Sequence, residues 1–269
     1  MKVTKVLTDL DRPCAFVPTM GALHAGHQSL IAKARELCDE VVVSVFVNPL
    51  QFEDKDDLAK YPRTPERDAE LAQEAGATVL WTPDYETIYP SEIKKLSAGE
   101  LGNRFEGVHR PGHFDGVLTV VNRLFELVKP RYALFGEKDF QQLFLITKMA
   151  AELHGDVEIV PAPTIREASG LAMSSRNVRL NDEARRAADV ISRVLCIASN
   201  KESVERALIT LQEISREPLF TLDYAEIIDE ETFEIATDLT EKKRAIVAGW
   251  INGVRLIDNM AMKSALVQV

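Results

Sequence analysis

Residues 40–47 read Glu-Val-Val-Val-Ser-Val-Phe-Val, with valine at 41, 42, 43, 45 and 47. A strand with one wet face alternates apolar and polar residues. A run apolar at both parities needs cover on both faces, which is the position of a strand inside a parallel sheet flanked by helices. The surrounding sequence supplies that context. Strand patterns at 14–20, 78–82, 132–135 and 157–160 alternate with helical patterns at 27–38, 64–75, 116–128 and 139–153. Gly76 stands where a helix C-cap belongs, and Pro83 and Pro130 close elements. This alternation predicts an α/β fold, a Rossmann-like doubly wound parallel sheet with right-handed crossovers. After about Ile165 the texture changes. Two amphipathic helices are expected at 182–200 and 201–215, then strands at 222–228, 244–250 and 254–259, the last two joined by Asn252-Gly253, a favoured hairpin dipeptide. The expected organisation is a Rossmann-like domain over 1–166 and a smaller C-terminal α+β domain over 167–269.

Composition narrows the function classes. A formal net charge of −10 argues against a protein whose main partner is nucleic acid, yet leaves room for a local basic pocket facing an anionic small molecule. No apolar run reaches the length of a membrane span, and the first ten residues lack a signal-peptide core. Three scattered cysteines, Cys14, Cys38 and Cys196, read as reduced thiols. The expectation is a cytoplasmic protein acting on small molecules.

Four segments carry chemistry. The first is Pro18-Thr19-Met20-Gly21-Ala22-Leu23-His24-Ala25-Gly26-His27, at the end of the first buried strand. In open α/β sheets, ligands bind beyond the carboxyl ends of strands, where a helix N-terminus presents free N–H groups to phosphate. His24 and His27, three apart, project to one side of a helical turn, and Gly26 leaves backbone open between them. The bland alternative, two loop histidines capping a helix, suits a lone histidine better than H-x-G-H at this place. The second is Leu171-Ala172-Met173-Ser174-Ser175-Arg176-Asn177, two hydroxyls and a guanidinium on what should be a mobile loop at the domain junction. Alone it is a polar turn; paired with H-x-G-H it resembles the second signature of the nucleotidylyltransferase superfamily, K-M-S-K-S. The third is Gly136-Glu137-Lys138-Asp139 with Gln142, where Lys138 suits phosphate and Asp139 suits an N-cap. The fourth is Asn48-Pro49-Leu50-Gln51-Phe52, whose Gln51, like Gln142, suits hydroxyl and carbonyl groups of a polar substrate. All four are expected at one rim of the sheet. The charged stretch 53–60 reads as a surface loop or a lid.

Together with Tyr61-Pro62-Arg63-Thr64, Arg110-Pro111-Gly112-His113-Phe114-Asp115-Gly116 and Leu222-Asp223-Tyr224-Ala225, these segments resemble the pantothenate synthetase family, the pantoate–β-alanine ligases among H-x-G-H adenylate-forming enzymes, over nearly the whole chain. The resemblance implies an ATP site built from Met20, Gly21, Ala22, Leu23, His24, Ala25, Gly26 and His27, from Gly136, Glu137, Lys138 and Asp139, and from Ile165, Met173, Ser174, Ser175 and Arg176. It implies that His24, His27, Lys138 and Arg176 assist catalysis, with His27 as proton donor. Gln51 would contact pantoate and β-alanine, and Gln142 pantoate. The implied reaction condenses pantoate with β-alanine through a pantoyl-adenylate, releasing AMP and pyrophosphate, with Mg²⁺ accompanying ATP and a homodimer as the assembly. Two positions depart from the family: Glu53 replaces a usual Gly, and Ala168-Ser169 a usual Pro-Asp.

Three rivals frame this reading. A nucleotidylyltransferase acting on a phosphorylated cofactor precursor would keep H-x-G-H but need more Lys and Arg, and neither Gln51 nor Gln142. An aminoacyl-tRNA synthetase fits poorly with a short acidic chain. A non-catalytic ATP-binding protein leaves the phosphate-directed residues of three segments without a task.

Overall fold

The computed structural model describes residues 1–52, 58–59, 61–90 and 93–263. Most of the stretch 53–60, the suggested lid, lies outside the described residues. The chain divides into two compact units, Met1–Pro163 and Thr164–Val269.

The first unit is a six-stranded parallel sheet built from β1 (Lys2–Thr4), β2 (Cys14–Thr19), β3 (Glu40–Val45), β4 (Val79–Trp81), β5 (Tyr132–Gly136) and β6 (Glu158–Ala162), in the spatial order β1-β4-β3-β2-β5-β6. Helices α1 (Ala25–Leu37), α2 (Pro65–Glu74), α3 (His113–Val128) and α4 (Phe140–Leu153) cover it. Successive strand residues face opposite ways, so each strand feeds two cores. Ala15, Val17, Val41, Val43 and Leu134 pack with Ile31 and Ala34 of α1 and Leu71 and Ala72 of α2. Cys14, Phe16, Val42, Ala133 and Phe135 pack with the apolar stripes of α3 and α4. The valine run of β3 is thus divided between two faces, each side chain contributing about 1.5–3 kcal/mol on burial. The expected doubly wound sheet is present, with one strand more than the pattern shows: β1 is short and largely exposed, and joins the edge by pairing Val3 with Leu80.

Element starts differ from expectation by local chemistry. The first helix begins at Ala25, earlier than 27, because His24 is its N-cap. The third begins at His113 because Gly112, at φ 73, turns the chain into it.

The second unit packs α5 (Asp182–Ala198) and α6 (Val204–Gln212) on one face of an antiparallel sheet β7-β8-β9 (Phe220–Asp229, Lys243–Ile251, Val254–Ala261). Asn181 and Ser203 cap the helices through their side chains. Asn252 and Gly253 both take positive φ, 49° and 71°, as a tight two-residue hairpin turn of this handedness requires. The expected helix over 201–215 is shorter, because Ser203 fixes its start and its end tightens into a 3-10 turn, Glu213–Arg216. Among the described residues no helix is long and apolar enough to cross a membrane.

Candidate active site

The strand order places β2 between β3 and β5, so the chain winds outward in opposite directions from the β2/β5 pair. That is the topological switch point, where the loops after the two strands part and leave a crevice. The loop after β2 is the H-x-G-H segment, and the loop after β5 carries Gly136 to Asp139.

The first loop is anchored at three places. Thr19 Oγ1 donates to Ser44 O at 2.7 Å and accepts from Gly21 N at 3.2 Å. Gly21 and Ala22 take φ of 83° and 51°, reversing the chain. Asp68, 2% exposed at the start of α2, then accepts from Ala22 N at 3.1 Å and from Leu23 N at 2.8 Å, while Thr64 Oγ1 donates to it at 3.0 Å. A side chain at Gly21 would lie 2.9 Å from that carboxylate. Glycine is required here by both space and φ.

The two imidazoles cap α1 reciprocally. His24 Nδ1 accepts from Gly26 N at 3.1 Å, and His27 Nδ1 accepts from His24 N at 3.3 Å. Their ring centroids are 4.2 Å apart. A backbone N–H only donates, so both Nδ1 atoms carry lone pairs. In a neutral ring the hydrogen is then on Nε2. Burial, followed by the Lys138 charge, lowers the His24 pKa to about 4. Burial, the other imidazole and Lys138 lower His27 to about 3. Both rings are therefore neutral at pH 7, each with one Nε2–H to offer. Capping uses only Nδ1, so it does not consume the Nε2–H of either ring. A Cβ on Gly26 would lie 2.8 Å from His24 Cε1, so this glycine makes room for the imidazole that folds over it.

The Lys138 charge acts on both histidines of the H-x-G-H loop and disfavours their protonation. Its Nζ lies 3.8 Å from Asp139 Oδ2. Asp139 occupies the N-cap position of α4 without making a side-chain cap hydrogen bond. A Cβ added at Gly136 would meet nothing within 4 Å among the described residues. Gln142 is half-buried in the first turn of α4.

Gln51 ends a 3-10 turn, Pro49–Gln51, after β3. It is 7% exposed, and its Nε2 lies 3.0 Å from Met20 Sδ, which joins the fourth segment to the first. The backbone carbonyl of Gln51 accepts from His113 Nδ1 at 2.9 Å, which fixes the opposite tautomer on that ring. Burial, then the Arg110 charge, lowers the His113 pKa to about 3.

In the second unit, residues 165–173 form a narrow loop. Met173 N donates to Ile165 O at 2.9 Å, and Gly170, at φ 96, makes its turn. Ser174 Oγ accepts from Arg176 N at 3.3 Å and starts the 3-10 turn Ser175–Arg179. Asn177, 4% exposed, donates to Glu167 Oε1 at 2.9 Å and to Ala172 O at 3.1 Å, and Arg185 donates to the other Glu167 oxygen at 2.5 Å. Arg166 grips Asp258 with two bonds of 2.6 and 3.0 Å. Polar ties therefore hold Met173 to Arg176 in one shape within this unit.

Residues 2–261 match the family described as pantoate-beta-alanine ligase. The pantothenate synthetase of Acidothermus cellulolyticus is 47% identical over 265 residues, covering 95% of this chain and 88% of that protein. The crystal structure of pantothenate synthetase from Thermus thermophilus aligns with a TM-score of 0.91 at 44% identity, covering 97% of this chain and 99% of that one. The Francisella tularensis pantoate–β-alanine ligase, solved as a complex with "Beta-gamma ATP" and β-alanine, aligns with a TM-score of 0.81 at 32% identity, covering 98% and 99%. This chain belongs to the pantoate–β-alanine ligase family. As a member it is a ligase of pantothenate biosynthesis.

Within this ligase, sequence reasoning missed Asp68 and Tyr89 and assigned no role to Asn48 or His113. Asp68 looks like one more acid in a helix first turn, and only the fold brings it under a loop 46 residues away. His113 lies in the family-like stretch Arg110 to Gly116, where nothing in the sequence links it to Gln51.

Proposed function

We propose that the ligase condenses pantoate with β-alanine in two steps at the switch-point crevice of its first unit. In the first, a pantoate carboxylate oxygen attacks the α-phosphorus of ATP. The new O–P bond gives pantoyl-adenylate, and the broken P–O bond leaves its electron pair on pyrophosphate. In the second, the β-alanine nitrogen, having lost a proton, attacks the acyl carbon, and AMP departs with the electrons of the C–O bond. A carboxylate is already ionised at neutral pH, so the first step needs no base. It needs relief of repulsion between anions and donors for the departing charge.

The observation that carries this reading is the pair of imidazoles whose Nδ1 atoms cap α1, leaving Nε2–H on each neutral ring within reach of the Lys138 charge. With Nδ1 accepting and the ring neutral, His27 serves by hydrogen-bond donation; passing on the Nε2 proton itself would leave an imidazolate. To nucleotide binding we assign residues Met20 to His27 and Gly136 to Asp139 of the first unit, and Ile165 with Met173 to Arg176 of the second. To pantoate we assign Gln51 and Gln142, with Gln51 also meeting β-alanine. No group of three His, Cys, Asp or Glu suited to a metal occurs among the described residues. Mg²⁺ brought with ATP would supply neutralisation of phosphate charge.

The test is exchange of labelled pyrophosphate into ATP without β-alanine. Exchange should require pantoate, AMP should accumulate only when β-alanine is added, and His27→Ala should slow exchange about 10²–10³-fold. Exchange that proceeds equally without pantoate would refute the adenylate.

A further inference from the structure

Resting on the assignment of Gln51 to pantoate, we propose that Tyr89 is a positioning residue for that glutamine, acting through Asn48. Tyr89 follows the single helical turn Tyr85–Ile88 and is 6% exposed. Its hydroxyl donates to Asn48 Oδ1 at 2.7 Å. Asn48, 1% exposed, has every hydrogen-bonding position filled. Oδ1 also accepts from Leu50 N at 3.2 Å, and Nδ2 donates to Gly116 O at 3.0 Å and to Gln51 Oε1 at 3.1 Å.

These partners leave no freedom in the direction of the amides. Leu50 N only donates and Gly116 O only accepts, so oxygen and nitrogen of Asn48 cannot exchange places. Asn48 therefore offers Gln51 an N–H. Gln51 must answer with Oε1, which turns its own NH₂ toward Met20, in the loop carrying the H-x-G-H histidines. The consequence is chemical. A free glutamine offers an acceptor or a donor by flipping; this one is held as a donor, the polarity that suits the carboxylate and hydroxyl oxygens of a hydroxy acid. Tyr89 supplies the hydroxyl for the second lone pair of a buried carbonyl. Without it that lone pair is orphaned, and the Asn48 amide that fixes Gln51 loses one of its four holds. The Tyr89 ring sits edge-on to Phe46, with centroids 6.1 Å apart, a contact that phenylalanine at 89 would keep.

Tyr89→Phe should raise the pantoate KM about tenfold with the ATP KM nearly unchanged, while the melting temperature falls by about 2–8 °C. A uniform fall in kcat with an unchanged pantoate KM, or equal rises in the KM of both substrates, would overturn the proposal. Gln51→Ala separates this idea from the one beneath it. If Gln51→Ala leaves the pantoate KM alone, the assignment of Gln51 fails. If Gln51→Ala raises it and Tyr89→Phe does not, only the role of Tyr89 fails. Should Tyr89→Phe fold poorly, proton NMR of the unaltered enzyme still decides. The Tyr89 hydroxyl should exchange slowly and show a cross-peak to the Asn48 side-chain amide; exchange as fast as that of a free phenol would overturn the proposal.

Discussion

Asp68 concentrates three hydrogen bonds on one buried carboxylate, and two of them hold the backbone of the H-x-G-H loop. Asp68→Asn keeps the shape but turns one acceptor into a donor, so Ala22 N or Leu23 N loses its partner. A cost of about 1–3 kcal/mol is expected, read as a lower urea midpoint, with pyrophosphate exchange falling further than stability alone accounts for. The histidines make a second prediction. His24, His27 and His113 are held neutral at values of about 4, 3 and 3, against an ordinary 6.5. Below pH 6.5 the unfolded chain binds protons that the folded chain refuses, so folding stability is whole above about pH 7 and declines as pH falls toward 4. Urea midpoints measured from pH 7 down to 5 should drop steadily, and less steeply in His113→Asn. A flat wild-type profile would contradict the buried neutral rings. The residues legible in sequence were those with a recognisable spacing. His24 and His27 sit three apart on one turn, whereas the tautomers that make them useful depend on which backbone N–H each ring meets, and spacing carries no such information.

At the scale of elements, α3 approaches the Pro49–Gln51 turn without a side chain between them. A Cβ on Gly116 would lie 2.3 Å from Leu50 O and 2.8 Å from Gln51 N. Both obstacles are backbone, so Gly116→Ala must part the helix from the turn, although alanine is the better helix former. The expected outcome is a loss of about 1–3 kcal/mol, as in overpacked cores, together with a raised pantoate KM, seen by thermal melting and steady-state kinetics. A more stable variant with unchanged KM would show that the contact is slack. Strand identity was legible because valine at both parities of β3 admits few alternatives. Helix starts were less so: His24 is an unusual cap, and a capping box made of two imidazoles lies outside the Ser/Thr–Glu pattern by which such starts are read.

Over the whole molecule, the alternation of elements was enough to imply a doubly wound sheet, and the switch point then follows from strand order. Strand β1 was not legible, because the 3 residues Lys2-Val3-Thr4 are too few for a period to be read and depend on a free edge at β4. The family resemblance also implies a homodimer, so sedimentation equilibrium should return twice the chain mass of 30.0 kDa; a single-chain mass at micromolar concentration would rule it out. One feature of the fold bears on how the ligase receives its ligands. The two imidazoles are also the end-fittings of α1, whose Ile31 and Ala34 pack against the sheet. Any pull on an imidazole is thus a pull on a rigid rod set in the wall of the protein. A partner that meets either ring therefore meets a group tied to the helix end by its other nitrogen.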